Sequence, residues 1–341
     1  MFLLISIAMM WLMIFGVGCF YFGMLPKSDT NHILSVVSVS LFSATIAFLF
    51  IGYPIAFSTP SLLFTENMDT STLLNLLFQL CFCLYAVVMV IGSVVNRLKL
   101  THAIIISMLW VIAVYTPLVH LFWSENAFFA QLGALDFSGG IVVHLSAGVS
   151  SYVLAYFFKQ AEKVDASVQN PWLYLGMIFI TLGWFFFNAG PVGELNDQSA
   201  LIIVKTLVAL ITGGGVWAVS QYTYDKKVDT ETILNGTIVG LVTSTSSVGF
   251  VSLFELLCIV GIASALTYFG IRHVLTLVHI NDVVDSFGMN GIGGLFGSLG
   301  TILFRWDAFI GQISGIAFTI MLSFVFTTLL SIFLKKSKRF L

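Results

Sequence analysis

Two polar side chains, His144 and Asn290, lie inside long apolar stretches of this sequence. His144 follows Asp136 by eight residues in ALDFSGGIVVHLSAGVSSYV, and Asn290 follows Asp282 by eight residues in NDVVDSFGMNGIGGLFG. Eight residues of helix rise roughly 12 Å, so each polar side chain would lie near the middle of a membrane-spanning helix. Both groups can exchange hydrogen bonds there, and the imidazole can also titrate. The pair therefore predicts a substrate site between two antiparallel helices.

Each of these residues also has a purely structural explanation. A charged or strongly polar side chain inside a span costs roughly 2.5–3.5 kcal/mol on insertion scales, and an interhelical hydrogen bond at His144 would offset this cost without any further function. The carboxylates of Asp136 and Asp282 would cap two helices, because a carboxylate satisfies the free amides at a helix start. We expect both aspartates to serve partly as caps. For His144, both roles stay open.

The composition predicts the elements that position this pair. Of the 341 residues, 58% are hydrophobic and 9% are charged, whereas a soluble domain carries about 25% charged residues. Apolar stretches of about 20 residues, long enough to cross a hydrocarbon core about 30 Å thick, recur along the whole chain. We predict an all-α integral membrane protein with eleven transmembrane helices near 2–24, 32–56, 71–95, 101–122, 137–158, 171–190, 199–221, 233–251, 256–271, 286–304 and 308–334.

The basic residues predict the orientation of these helices, since lysine and arginine concentrate in cytoplasmic loops. With these spans the N-terminus lies outside and the C-terminus inside, and only Lys205 and Arg305 of the 14 basic residues leave the inner side. The basic residues on the inner side are Lys27, Arg97, Lys99, Lys159, Lys163, Lys226, Lys227, Arg272, Lys335, Lys336, Lys338 and Arg339, the last four forming a membrane-surface anchor. The acids on or near the outer side, which modestly enrich cations there, are Glu66, Asp69, Glu125, Asp136, Glu194, Asp197, Glu255 and Asp307.

The equal spacing from aspartate to polar residue predicts an inverted repeat within a single membrane domain at 1–341. Repeat A would cover about 2–160 and repeat B about 171–305, followed by a last span at 308–334, with the substrate site between the repeats. No phosphate-binding loop, metal-ligand spacing or nucleic-acid motif is found in the sequence, so we predict no cofactor, no metal and no nucleic-acid partner. Glycines that would let the helices approach closely are Gly139, Gly140, Gly148, Gly288, Gly291, Gly293, Gly294 and Gly297.

The segments that carry His144 and Asn290 together resemble the ammonium transporter family (Amt/Mep/Rh), whose fifth span holds an aspartate, a double glycine and a pore histidine in this arrangement. GWFFFNAG at 183–190 resembles the sixth-span signature of the family, and LNGTIVGLV at 234–242 resembles its eighth. The resemblance covers essentially the whole chain. It implies a homotrimer in the cell (inner) membrane, with one narrow pore for ammonium in each subunit.

The resemblance also implies roles for residues at the outer end of the pore. Trp123 resembles the tryptophan of a site that recognises NH4+, and Asp136 resembles the acid that supports this site. Phe82 and Phe187 resemble two stacked phenyl rings that gate the path. Cation–π attraction recovers roughly 0.5–2 kcal/mol for each aromatic face, too little to carry an unhydrated ion across hydrocarbon. Family proteins are therefore thought to separate NH3 from its proton below the aromatic site.

Deeper in the pore, His144 resembles the first of two pore histidines, and Trp184 occupies a pore-associated aromatic position. Asn290 stands where the family usually has its second pore histidine. An amide has no titratable nitrogen and cannot join a proton relay between coupled imidazoles. We therefore expect Asn290 to keep hydrogen bonding to NH3 but to lose proton hand-over.

Two further positions are unusual. Pro191 stands where many family members place a serine that contributes to the outer site, and proline offers neither that hydroxyl nor an N–H. The outer site would then depend on aromatic rings and carbonyl oxygens, with weak recruitment. Lys205 lies about nine residues into the seventh span, where it needs an acidic or carbonyl partner or must extend towards water. We expect a structural ion pair with Asp197 or Glu194 rather than a pore-lining role.

Two functions stay open from the sequence. An ammonium sensor needs binding and a conformational preference but no turnover, so it tolerates the loss of a relay residue. Its output would pass to a cytoplasmic signalling domain, expected beyond Leu341, or to a soluble nitrogen-regulatory protein. A conducting ammonium channel is the alternative, supported by the retained His144, Phe82 and Phe187. No pair of nucleophile and base lies at one depth, so we predict no enzyme in this chain.

Overall fold

Apolar runs of this sequence form long helices in the computed structural model of the protein, because a helix in hydrocarbon satisfies its backbone amides internally. The structure describes residues 1–59, 68–159, 169–274 and 280–336, and these residues contain no β-strand. Four residues that entered the topology prediction, Glu66, Lys163, Lys338 and Arg339, lie outside the described residues.

The described residues form fourteen α-helices, several of which are joined by π-helical turns into longer continuous segments. The π turns are Phe48–Gly52, Val111–Tyr115, Gly140–Leu145, Gly270–Val274 and Phe287–Ile292. The α-helices are α1 (Phe2–Met24), α2 (Thr30–Ala47), α3 (Tyr53–Phe57), α4 (Thr70–Gly92), α5 (Leu100–Trp110), α6 (Thr116–Trp123), α7 (Phe128–Gln131), α8 (Ser146–Phe157), α9 (Asn170–Ala189), α10 (Asp197–Asp225), α11 (Thr230–Ser244), α12 (Leu253–Phe269), α13 (Gly293–Ile302) and α14 (Phe309–Lys336).

Nine helical segments of the described residues are long and apolar enough to cross a membrane, and they coincide with nine of the eleven predicted spans. The other two predicted spans, 233–251 and 286–304, contain shorter helices. The helix α11 has 15 residues, and α13 has 10 residues after a π turn of 6. A helix of 15 residues is roughly 22 Å long, less than a hydrocarbon core of about 30 Å. The count of eleven spans and the outside position of the N-terminus therefore remain predictions.

The core of the bundle surrounds α4 and the segment Gly140–Phe157, most of whose residues are buried. One end of the bundle holds Trp123, and we call it the Trp123 end. The sequence predicts that this end faces outside. The opposite end holds Arg97 and Lys159, and we call it the Arg97 end.

Glycines let α8 cross very close to the chain around Asn290. A Cβ atom at Gly148 would collide with the backbone of Gly291, and a Cβ atom at Gly294 would lie 2.9 Å from the carbonyl oxygen of Gly140. Larger side chains at these positions would push the two segments apart. The close approach that the glycines predicted is therefore present, and it brings the two polar side chains together.

Candidate functional site

His144 lies in a π-helical turn, Gly140–Leu145, that directly precedes α8. The carboxylate of Asp136 holds this turn by accepting hydrogen bonds from the N–H groups of Ile141 at 3.0 Å and Val142 at 2.9 Å. Turns of this kind are rare and occur frequently at functional sites. Asp136 therefore acts as the cap that was expected, and it positions the imidazole through the backbone.

Asn290 lies in a second π turn, Phe287–Ile292, which directly precedes α13. Asp282 caps this turn, since one of its carboxylate oxygens accepts a hydrogen bond from the N–H of Phe287 at 2.7 Å. The offset of five residues from aspartate to amide is the same as in the first turn, where Asp136 is the cap. Each of the two antiparallel segments is thus capped by an aspartate, and the inverted repeat stays a prediction.

The aromatic residues singled out in the sequence form a continuous column with His144. The ring centroids of Trp123 and Phe82 are 5.5 Å apart, and those of Phe82 and Phe187 are 4.4 Å apart. His144 follows at 5.9 Å from Phe187, and it stacks on Trp184 at 5.3 Å with an interplanar angle of 9°. The structure thus brings together, from the Trp123 end inwards, the residues that the sequence suggested. The contact of Phe82 with Phe187 leaves no opening between these two rings.

Tyr85 also belongs to the column, although the sequence analysis did not identify it. Its ring centroid lies 6.0 Å from that of His144, 5.5 Å from that of Trp184 and 5.4 Å from that of Phe187. Tyr85 follows Phe82 by three residues on α4, and residues three apart share one face of a helix. That spacing was the signal in the sequence that would have found it.

The hydrogen bond between His144 and Asn290 fixes which imidazole nitrogen carries the proton. His144 Nδ1 lies 2.9 Å from Asn290 Oδ1, and Asn290 Nδ2 donates to the carbonyl of Ser286 at 3.1 Å. Turning the amide would place its oxygen against the Ser286 carbonyl, two acceptors in contact, so the oxygen faces the imidazole. Because an amide oxygen only accepts, Nδ1 of His144 carries the proton, and Nε2 of the neutral ring is an acceptor.

Two polar atoms of the stacked rings are buried and have no hydrogen-bond partner in the structure. They are Nε2 of His144 and the indole Nε1 of Trp184. A buried polar group without a partner costs about 1–3 kcal/mol, so a solute that pairs with these two atoms would be stabilised by them. One acceptor and one donor are thus available to a small polar solute beside the stacked rings.

A cavity of about 260 Å³ opens at the Trp123 end and ends against Phe82. The indole N–H of Trp123 donates to the backbone carbonyl of Asp136 at 2.9 Å, which fixes the ring at the cavity wall. Pro191 also lines the cavity, together with Gln79, whose side-chain oxygen is buried and has no partner in the structure. The dependence of the outer site on aromatic rings and carbonyl oxygens stays a prediction, and Gln79 adds a side-chain carbonyl that the sequence analysis missed. Gln79 precedes Phe82 by three residues, so helical spacing again gave the signal.

Lys205 does not pair with Asp197 or Glu194, and that expectation was wrong. Its Nζ donates to the backbone carbonyls of Val248 at 3.0 Å and Val251 at 2.5 Å. These carbonyls belong to the turn that follows α11, where the helix no longer satisfies them. The role of the lysine is therefore structural, with carbonyl rather than carboxylate partners.

Replacing Lys205 by methionine should lower the stability of the protein. The carbonyls of Val248 and Val251 would lose their donor, and we expect the free energy of unfolding to fall by about 2 kcal/mol. Thermal unfolding of the purified protein in detergent measures this change. Lys227→Met, at an exposed lysine, is the matched control and should leave the unfolding midpoint unchanged. A midpoint for Lys205→Met equal to that of the control would contradict the assignment.

Comparison with known proteins gives concordant results. The model of the Ammonium Transporter Family matches residues 1–341. The ammonium transporter of Aquifex aeolicus (strain VF5) is 31% identical, over 94% of this chain and 83% of that protein. The ammonium transporter of Bacillus subtilis (strain 168) is 30% identical, over 87% of this chain and 78% of that protein.

Two solved structures show that the fold is shared. A sensor Amt protein superposes with a TM-score of 0.90 at 22% identity, covering 99% of this chain and 93% of that chain. Mep2 of Saccharomyces cerevisiae superposes with a TM-score of 0.83 at 24% identity, covering 96% of this chain and 83% of that chain. At these identities the comparison concerns the fold alone.

Proposed function

Since this chain belongs to the ammonium transporter family, we propose that it recognises ammonium and that it does so as a sensor with impaired conduction. The chain is a multi-pass integral membrane protein, and its aromatic column and the polar pair beneath it would form the recognition site. The observation that carries the proposal is the hydrogen bond from His144 Nδ1 to Asn290 Oδ1.

Recognition would begin in the cavity at the Trp123 end. The faces of Trp123 and Phe82 attract a cation, and the unpartnered oxygen of Gln79 accepts one N–H of NH4+. Passing the close contact between Phe82 and Phe187 strips the cation of its water, which is very costly for a charge. NH4+ therefore gives its proton to solvent water in the open cavity, which forms H3O+, and NH3 is the species that passes the rings.

Beyond the rings, NH3 would meet the two unused polar atoms. Nε2 of His144 accepts an N–H from NH3, and the indole N–H of Trp184 donates to its lone pair. Asn290 donates its amide N–H to the carbonyl of Ser286. It therefore contributes to this site through its hydrogen bond with His144. The polar pair thus binds a neutral solute in an otherwise apolar column.

Net transport of the cation also requires the proton to cross. A relay would take the proton at Nε2 of His144 and release it from Nδ1, but the acceptor there is the amide oxygen of Asn290. The oxygen of an amide is not basic near neutral pH. The amide side chain also has no titratable nitrogen that could pass the proton on. Proton hand-over therefore stops at this pair. Binding remains, and a sensor needs only a conformational preference between the free and bound states.

We further infer the setting in which this sensor works. The chain would assemble as a homotrimer in the lipid bilayer and pass its state to a cytoplasmic signalling domain or to a soluble nitrogen-regulatory protein. None of these partners takes part in the geometry above.

A conducting ammonium transporter is the second candidate. The free acceptor of His144 and the ring pair of Phe82 and Phe187 are parts that conduction also needs. The relatives at 31% and 30% identity are named ammonium transporters. Under this alternative the proton would cross by a route that does not pass through Asn290.

Currents on a solid-supported membrane separate the two candidates. We expect liposomes with the purified chain to give a brief binding transient after an ammonium pulse and no sustained current, because the proton does not follow. Trp123→Ala should remove the transient, since the cation binds in the outer cavity and loses one of its aromatic faces there. A sustained, ammonium-specific current that disappears in His144→Ala would overturn the sensor proposal in favour of the transporter.

A further inference from the structure

Four basic side chains surround one cavity at the Arg97 end of the bundle. The cavity has a volume of about 350 Å³, and its walls include Arg97, Lys99, Lys159 and Lys335. These residues come from three separate parts of the chain: the connection from α4 to α5, the end of α8 and the last turn of α14. Among the residues that the structure describes, no acid lines this cavity. Like charges in such a space repel one another, so an anion bound there would stabilise them.

An apolar groove lies next to this basic cavity. The groove has a volume of about 320 Å³ and runs between α8 and α14, with Val153, Tyr156 and Phe324 among its walls. Phe157 lines both the groove and the basic cavity. Tyr156 and Phe324 are 51% and 46% exposed, so the groove opens sideways from the bundle. Its walls are mainly apolar and favour a hydrocarbon chain, and its polar groups are the hydroxyls of Tyr152, Tyr156 and Thr328.

Two lysines mark the junction between the cavity and the groove. Lys159 Nζ lies 4.7 Å from the ring centroid of Tyr156, and Lys335 Nζ lies 5.5 Å from that of Phe157. The two ammonium groups therefore lie where the basic cavity meets the apolar groove. A ligand that fits both parts has an anionic group joined to a hydrocarbon chain.

We propose that the basic cavity and the apolar groove together bind one anionic phospholipid. Its phosphate would lie among Lys99, Lys159 and Lys335, and one acyl chain would lie along α8 and α14. Basic pockets between transmembrane helices on the cytoplasmic side suit anionic headgroups, and the positive-inside pattern predicts that the Arg97 end is cytoplasmic. A free phosphate would leave the groove empty, and a zwitterionic headgroup brings a cation that the lysines repel.

The bound phosphate would also lie beside Arg97, which links the segment that carries His144 to the segment that carries Asn290. Arg97 donates from Nε to the carbonyl of Phe158 at 2.6 Å and from Nη2 to the carbonyl of Asn281 at 2.5 Å. Phe158 is the residue after α8, the helix that follows the turn carrying His144. Asn281 directly precedes Asp282, which caps the turn carrying Asn290. An anion next to Arg97 would hold this bridge in place, so lipid binding should raise the thermal stability of the whole bundle. The proposal applies equally to a sensor and to a transporter.

Lipid titration of the purified full-length chain in detergent tests the proposal. Dioleoyl phosphatidylglycerol should bind and raise the unfolding midpoint, and native mass spectrometry should show one tightly bound lipid per chain. Lys159→Gln/Lys335→Gln should weaken this binding about 25-fold, or about fivefold for each surface lysine. The control Lys226→Gln/Lys227→Gln removes the same charge from exposed residues on the same predicted side. It should keep the wild-type affinity.

Three further arms identify the ligand. Dioleoyl phosphatidylcholine should bind much more weakly, because the site distinguishes an anionic headgroup from a zwitterionic one. Inorganic phosphate and glycerophosphoglycerol, which lack acyl chains, should leave the midpoint unchanged at the same concentration. The proposal is overturned if the two double variants lose affinity equally, if phosphatidylcholine binds as tightly, or if inorganic phosphate stabilises as well as the lipid does. The single variants Lys159→Gln and Lys335→Gln repeat the test with less change to the surface.

Discussion

Asn290→His should give a sustained ammonium current, about 10²-fold or more above the residual background of the wild-type chain, the contribution typical of a positioned acid–base group. In the wild type, Nδ1 of His144 donates to an amide oxygen that cannot pass a proton on. An imidazole at position 290 would present a ring nitrogen to Nδ1, and two coupled imidazoles can share and exchange a proton. Solid-supported membrane electrophysiology with ammonium pulses measures the change.

Two control variants make this result specific to the imidazole. Asn290→Gln keeps an amide and should give no sustained current, although it also alters the packing beside Ser286. Asn290→His combined with His144→Ala should abolish the gained current, since a relay needs both rings. If the wild-type chain already conducts as well as Asn290→His, Asn290 does not block the proton and the sensor proposal is wrong.

Much of the site around His144 and Asn290 could be predicted from the sequence, because the spacing of residues along a helix gives their depth in the membrane. Both His144 and Asn290 follow an aspartate by eight residues on antiparallel segments, and the structure places them in direct hydrogen-bond contact. The aspartates were expected to cap helix starts, and they do so through backbone amides. These features depend on local sequence and on one long-range rule, the alternation of spans across the membrane.

Other features depend on contacts between distant residues, which spacing does not reveal. The partners of Lys205 are carbonyls 43 and 46 residues further along the chain. The acidic residues near Lys205 in the sequence therefore did not identify its hydrogen-bond partners. The predicted span 233–251 overran the helix α11, which ends at Ser244. The chain beyond it leaves the helix, since the carbonyl of Ser246 accepts from the N–H of Phe137 at 3.1 Å. Apolarity alone does not show where such a tertiary contact replaces the helical one.

Asp136→Ala should destabilise the protein strongly, and a loss of ammonium binding should accompany this change. The buried carboxylate accepts hydrogen bonds from Ile141, Val142 and the hydroxyl of Ser246, the last at 2.9 Å. Each bond to a charged group contributes about 1.5–3 kcal/mol, so we expect the free energy of unfolding to fall by about 4 kcal/mol or more. Thermal or denaturant unfolding in detergent, followed beside ammonium binding, measures both effects.

A graded series shows whether Asp136 is a cap or a direct ligand of the cation. Ser246→Ala removes one of the bonds to Asp136 and should lower the stability by about 1 kcal/mol, and Asp136→Asn should fall between the two. Asp307→Asn, at an exposed acid, loses the same charge and should change neither quantity. For a cap, binding weakens in step with stability across the series, because the turn that carries His144 loosens. If Asp136→Asn abolishes binding at wild-type stability, the carboxylate meets the cation itself, and its role as a positioning residue is refuted.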